Sequence, residues 1–172
     1  MMADERAALA ADAYVYGYPL VYDLGEVDRL GRVGMGSLAP APMNTFSHAG
    51  QLAGPEDRFV SVNNDTVYSI ANLDLSGGPV LLRVPDTDGA YYVLQFVDAW
   101  TNNFAYVGRR ATGTAAGAYL VVPPGWSGSA PDRATVIPAP TDVVTIVGRN
   151  ACDGPADLAR VQSLQVGFTL RP

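Results

Sequence analysis

Two polar clusters hold the side chains best suited to chemistry. Asn63-Asn64-Asp65-Thr66-Val67-Tyr68 sets four polar residues beside a tyrosine, between two apolar runs. Asp65 is suited to act as a general base or substrate anchor there, with Asn63 and Tyr68 orienting a polar ligand. The same residue types also build a plain Asx turn whose corner a tyrosine ties down. The second cluster, Asp98-Ala99-Trp100-Thr101-Asn102-Asn103, follows the run Tyr91–Val97. Strand alternation puts Tyr92, Leu94, Phe96 and Asp98 on one face, so Asp98 ends an apolar row, a setting that suits an acid catalyst. Trp100 beside amide side chains such as Asn103 is the composition of a sugar- or aromatic-binding loop, and equally of a polar loop with one half-buried tryptophan. The sharpest expectation joins the clusters. Asp65 and Asp98 would form a carboxylate pair, with Arg109 as a bidentate clamp for the ligand and Asn63, Tyr68, Trp100 and Asn103 around it. That geometry requires Asp65 at the start of one strand to lie beside Asp98 at the end of an antiparallel neighbour.

Composition removes many alternatives. All 11 basic residues are arginine, so no Schiff-base lysine, lysine-bound pyridoxal phosphate or phosphate-loop lysine exists. His48 is the only histidine and Cys152 the only cysteine, which excludes multi-histidine metal sites, zinc-ribbon spacings and disulfides within the chain. No spacing matches a calcium loop, and neither a metal nor an organic cofactor is expected. His48 reads as a surface residue and Cys152 as a structural thiol. The net charge is -6 and the arginines are scattered, so no basic stripe exists to meet nucleic acid or an anionic membrane. The N-terminus carries Asp4 and Glu5 where a secretory signal would be positive, and no long apolar run appears; the expected location is the cytoplasm.

The elements that must position these clusters follow from periodicity. Residues from about Ala3 to Leu24 predict a helix, with Leu9, Ala13, Tyr16, Leu20 and Leu24 on one stripe and Tyr14, Tyr18 and Tyr22 on the opposite face. Pro19 is expected to kink or break it. A helix apolar on both faces is usually covered on both sides, so the tyrosine face predicts a partner: self-association or a companion domain. We divide the chain into an N-terminal helix (1–30), an irregular Gly/Pro-rich connection (31–57), a β region (58–150) and a C-terminal helical segment (151–172). Strand signals fall at Arg58–Val62, Thr66–Leu73, Val80–Val84, Tyr91–Val97, Phe104–Gly108, Ala118–Val122, Ala134–Ile137 and Val143–Gly148. With 18 glycines and 13 prolines punctuating short strands, an α+β, mainly β chain built on an antiparallel sandwich is predicted. A short last helix opens near Asp153-Gly154-Pro155, burying Leu158, Val161 and Leu164.

Five ordered segments carry a resemblance. They are Ala13-Tyr14-Val15-Tyr16-Gly17-Tyr18-Pro19-Leu20, Val62-Asn63-Asn64-Asp65-Thr66-Val67-Tyr68-Ser69, Leu73-Asp74-Leu75, the stretch from Tyr91 to Phe104, and Val107-Gly108-Arg109-Arg110-Ala111-Thr112-Gly113. Together they resemble the bacterial domain of unknown function 1254 over nearly the whole chain. The resemblance implies an N-terminal helix with a β-sandwich of immunoglobulin-like shape, followed by a second β-rich region, the domain of unknown function 1214. It implies no catalytic residue. The function expected is therefore a soluble ligand- or domain-binding β module with a small polar ligand. The alternative is a cofactor-independent enzyme using carboxylate acid–base catalysis on a small polar or carbohydrate-like substrate.

Overall fold

A computed structural model describes residues 3–55, 57 and 62–172. In chain order the elements are α1 (Ala3–Val33), β1 (Ser47–His48), β2 (Thr66–Asp74), β3 (Val80–Val84), β4 (Tyr92–Asp98) and β5 (Asn103–Gly108). They continue with β6 (Gly117–Val122), β7 (Ala134–Pro138), β8 (Val143–Ala151), a 3-10 turn (Pro155–Asp157), α2 (Leu158–Gln165) and β9 (Thr169–Arg171). The chain is mainly β, with a helix at its N-terminal end and a short one near its C-terminal end. The predicted strand at Arg58–Val62 lies outside the described residues, apart from Val62, which is not in a strand.

The strands form two sheets, ordered β1-β2-β8-β4-β5 and β7-β6-β3-β9. One core joins them. It includes Ala71, Leu73, Leu94, Phe96, Val144 and Ile146 from the first sheet and Val80, Leu82, Tyr119 and Val121 from the second. In β4 and β8 buried and half-buried residues alternate strictly, because one side faces the second sheet and the other does not. The antiparallel expectation fails at one pair: β6 and β7 run parallel. The chain between them, 123–133, contains Pro123, Pro124 and Pro131, which cannot donate ladder hydrogen bonds, so it crosses over outside the sheet instead of turning back as a hairpin. β1 and β9 have two and three residues, too short to show a period in the sequence.

α1 differs from its prediction in length and in burial. It runs through Pro19 and past Leu24 to Val33. Its C-terminal half is held by the ion pairs Glu26–Arg29 and Asp28–Arg32, by buried Val27, and by the Val27 carbonyl, which accepts from Asn72 Nδ2 of β2 at 3.4 Å. Its N-terminal half touches the sheets at the Tyr16 ring, 5.2 Å from that of Trp100. The stripe expected to be buried is open, with Leu9 59% and Tyr16 75% exposed. Tyr14, Tyr18 and Tyr22 are 69%, 50% and 56% exposed, and they pack on one another at 5.8 Å per neighbouring pair. Both apolar faces of α1 are thus open in this chain. No helix is long and apolar enough to cross a membrane among the described residues.

A cleft on the outer face of the five-stranded sheet

The strand register separates the residues expected to converge. β2 and β4 both pair antiparallel with β8, so they run in the same direction and begin at the same end of the sheet. Thr66, next to Asp65, lies opposite Ala151, whereas Asp98 lies opposite Val144, seven residues along β8. At about 3.3 Å per residue, roughly 23 Å of strand separates the two positions. One small substrate cannot span that, so the shared carboxylate site is corrected. Arg109 falls at the Asp65 end, where its N–H donates to the Tyr92 carbonyl and its side chain is exposed. Trp100 and Asn103 fall at the Asp98 end.

Each cluster has its own local work. The Asn63 side-chain oxygen accepts from the Thr66 N–H at 3.1 Å and the Thr66 hydroxyl at 2.6 Å, while Asn63 Nδ2 donates to the Tyr68 hydroxyl at 2.9 Å. This is the Asx corner tied by a tyrosine. Asp65 is exposed. Asp98, 5% exposed, accepts from the N–H groups of Trp100 and Asn102 at 2.9 and 2.8 Å and from Asn102 Nδ2, which closes the β4–β5 turn around Thr101 at φ 68°. A β-branched residue disfavours that left-handed conformation, so the carboxylate supports a strained turn. The acid close to Asp98 is Asp23 of α1, whose carboxyl is pushed up by burial first, then by Asp98 and Glu26.

His48, read from sequence as a surface residue, is half-buried in β1. Its Nδ1 lies 2.8 Å from the Ser69 hydroxyl, its ring stacks on Phe46, and burial pushes its pKa down. Ser69 is fully buried and also accepts from Gln165 Nε2 of α2 at 3.3 Å. No substrate carbonyl reaches an enclosed hydroxyl, so this pair is a tie between β1, β2 and α2, not a nucleophile with its base. Cys152 is buried, and its thiol donates to the Gly154 carbonyl. Among the described residues no group of three or more His, Cys, Asp or Glu side chains is placed to hold a metal ion.

The residues that do assemble lie on the outer face of the first sheet, away from the second. Tyr68 and Ile70 of β2 stand opposite Arg149 and Val147 of β8, and Val147 stands opposite Gln95 of β4. These five side chains floor a cleft of about 260 Å³. Its walls come from the segment after α1 (Met35, Gly36, Ser37, Leu38) and from Gln51, Ala53, Asp57 and Val62. A second hollow of about 430 Å³ adjoins it, sharing Gln95 and Arg149 and bordered by Tyr91, Tyr106 and Arg110. The floor is oriented by its own hydrogen bonds. Arg149 Nη1 donates to Gln95 Oε1 at 3.2 Å, Gln95 Nε2 donates to Asn103 Oδ1 at 2.6 Å, and Asn63 holds the Tyr68 hydroxyl. The Arg149 guanidinium also lies over the Tyr68 ring, 5.5 Å from its centroid. Of the residues singled out in the sequence, Tyr68 lines the cleft, and Asn63 and Asn103 position its floor; Asp65, Asp98, Trp100 and Arg109 do not line it. Sequence reading missed Arg149 and Gln95. Continuing the alternation Val143, Thr145, Val147 by one step would have put Arg149 on this face.

The family described as Protein of unknown function (DUF1254) matches residues 43–172, which include every strand of both sheets. The chain belongs to the DUF1254 family. The match takes in the whole floor of the cleft and begins after α1 and the Met35–Leu38 wall. Among solved structures, the VPA0106 protein from Vibrio parahaemolyticus is similar to this DUF1254 chain at a TM-score of 0.74 and 25% identity. The similarity covers 95% of this chain and 37% of that one, so the chain spans little more than a third of the Vibrio protein. A putative uncharacterized protein from Burkholderia cenocepacia shares 15% identity at a TM-score of 0.41 over 65% of this chain and 30% of its own. No curated protein matches the sequence.

Proposed function

We propose that this DUF1254 chain is a ligand-binding β module that works as one part of a longer protein, with the outer-face cleft as its binding site. The supporting observation is the state of the cleft floor. Tyr68, Gln95 and Arg149 are each oriented by a side-chain partner, and Met35, Leu38, Ile70 and Val147 surround them with apolar surface. An apolar pocket with a few fixed polar groups is the usual form of a small-molecule site. The test is a fragment screen read by amide chemical shifts. Fragments that bind are expected to move the resonances of Tyr68, Ile70, Val147, Arg149 and Gln95, and Ile70→Trp, which fills the cleft, is expected to abolish the effect. Fragments that move only resonances elsewhere, or that bind the Ile70→Trp protein unchanged, would refute the reading.

The open faces of α1 support a second reading, in which they dock on a further part of the longer protein. Seven large apolar side chains between Leu9 and Tyr22 are exposed, and the similar Vibrio chain extends well beyond the region matched here. Amide exchange across α1 should slow when the chain is studied within its full reading frame. Equal exchange rates in both contexts would remove this reading.

A further inference from the structure

We propose that the cleft takes a small, apolar monocarboxylate, with Arg149 and the Tyr68 hydroxyl gripping its carboxylate. The inference rests on the reading of the cleft as a ligand site and adds the chemistry of the ligand.

Arg149 is a half-buried cation with no counter-charge among the described residues. Among the described residues no carboxylate lies within ion-pairing distance of it, since the ion pairs there are Glu26–Arg29, Asp28–Arg32 and Asp157–Arg160. A guanidinium has five N–H donors, and among the described residues one of them is used, on Gln95. Gln95 is in turn fixed by Asn103, and the Tyr68 ring carries the flat face of the guanidinium. A planar donor fork held this way suits bidentate recognition of a carboxylate. The Tyr68 hydroxyl adds a third donor. It accepts from Asn63 Nδ2 and meets no acceptor among the described residues, so its own proton is there to give. Among the described residues, then, the polar groups of the sheet floor that remain unused are donors.

The rest of the cleft sets the other properties of the ligand. Met35, Leu38, Ile70 and Val147 offer apolar surface to its body. A volume of about 260 Å³ lies just under the range of about 300–1,000 Å³ usual for drug-sized ligands, so the ligand is small. The one carboxylate among the described lining residues, Asp57, lies against Gly36 in the wall of the cleft, held by the Gly54 N–H at 2.8 Å. It repels a second negative charge at the far end of the ligand, which favours monocarboxylates over dicarboxylates.

The test uses calorimetric titration of the whole chain with hexanoate and phenylacetate, against hexanamide, phenylacetamide and the dicarboxylate adipate. Both monocarboxylates should bind at least tenfold more tightly than their amides, and hexanoate more tightly than adipate. Arg149→Gln should remove that tenfold preference, Tyr68→Phe should weaken the carboxylates several-fold, and Ile70→Trp should abolish binding. Amide spectra confirm that each variant is folded; if Arg149→Gln is not, Arg149→Lys, which keeps the charge and loses the fork, should still weaken the carboxylates. Equal binding of acids and amides overturns the carboxylate inference and leaves the ligand-module reading standing. Adipate binding as tightly as hexanoate overturns the role of Asp57. Carboxylates that bind Ile70→Trp unchanged place the ligand in the neighbouring hollow and overturn the proposal. A chain that binds none of the probes, and whose cleft resonances respond to no fragment, overturns both readings.

Discussion

His48 Nδ1 meets the Ser69 hydroxyl at 2.8 Å, tying the two-residue strand β1 to the buried side of β2. Gln165 of α2 donates to the same hydroxyl and to the Tyr68 carbonyl, so three elements close on one serine. In this arrangement the Ser69 hydroxyl accepts from the Gln165 amide and shares a hydrogen bond with His48 Nδ1 whose direction the imidazole tautomer sets.

Burial holds the His48 pKa below its ordinary 6.5 in the folded chain. As pH falls through 6.5 the unfolded chain takes up a proton that the folded chain refuses, so the stability His48 permits at neutral pH is progressively lost. Urea midpoints should therefore decline between pH 7.5 and 5. His48→Gln should flatten that decline, and an equal decline in both proteins would show that other groups cause it.

Ser69→Ala should cost about 1–2 kcal/mol, since it strips a buried hydrogen-bond partner from His48 and an acceptor from Gln165. A urea midpoint within error of the parent would mean that the tie is not needed.

The two aspartates separated by the register should respond differently. Asp98→Ala removes a buried acceptor from the N–H groups of Trp100 and Asn102 and should lower stability by about 1.5–3 kcal/mol. Asp65→Ala, at an exposed position, should stay within about 0.5 kcal/mol of the parent. Thermal denaturation of both variants decides this; a large loss on Asp65→Ala would give that side chain a role the geometry does not show.

Gly148 packs closely at the centre of the sheet. A methyl there would sit 2.9 Å from Leu94 Cδ2 and 3.0 Å from the Ser69 carbonyl oxygen. Overpacking of this kind costs roughly 1–3 kcal/mol, so Gly148→Ala should lower the melting temperature by several degrees. An unchanged melting temperature would show that β2 and β4 can spread at no cost.

The open tyrosines of α1 make a sequence-specific target. Chymotrypsin should cut after Tyr14, Tyr16, Tyr18 or Tyr22 well before it cuts after Tyr92 or Phe96, which lie within the core. Mass spectrometry of early fragments reads the order directly, and first cuts within β4 would contradict the exposure of the helix.

The strands that alternate in sequence were legible because alternation is imposed locally by a sheet with one face on the core. Tyr92, Leu94 and Phe96 show it, as do Val144 and Ile146. The short last helix was legible from Gly154 and Pro155. The cleft was not, for two reasons. Sequence reading closed β8 at Gly148 and so left out Arg149 by a single residue, while Arg109 was given the role of the clamp. Its walls come from Met35–Leu38 and from residues near Ala53, whose Gly- and Pro-rich surroundings carry no period. The union of Asp65 and Asp98 failed on strand order, since β8 comes between β2 and β4 from late in the chain, and no local pattern announces that insertion.

The shortness of β1 and β9 has a consequence for how this protein behaves when concentrated. These strands close one border of each sheet with two and three residues, and β7 closes the other border of its sheet with Pro138 as its last residue. A stray strand seeking to extend either ladder finds few free N–H and C=O groups at those three borders. Among the described strands only β5, six residues long and without proline, offers an ordinary template. Edge-to-edge growth into fibrils is thereby confined to that flank, which a lysine-free chain leaves without the lysine charges that often blunt a sheet edge.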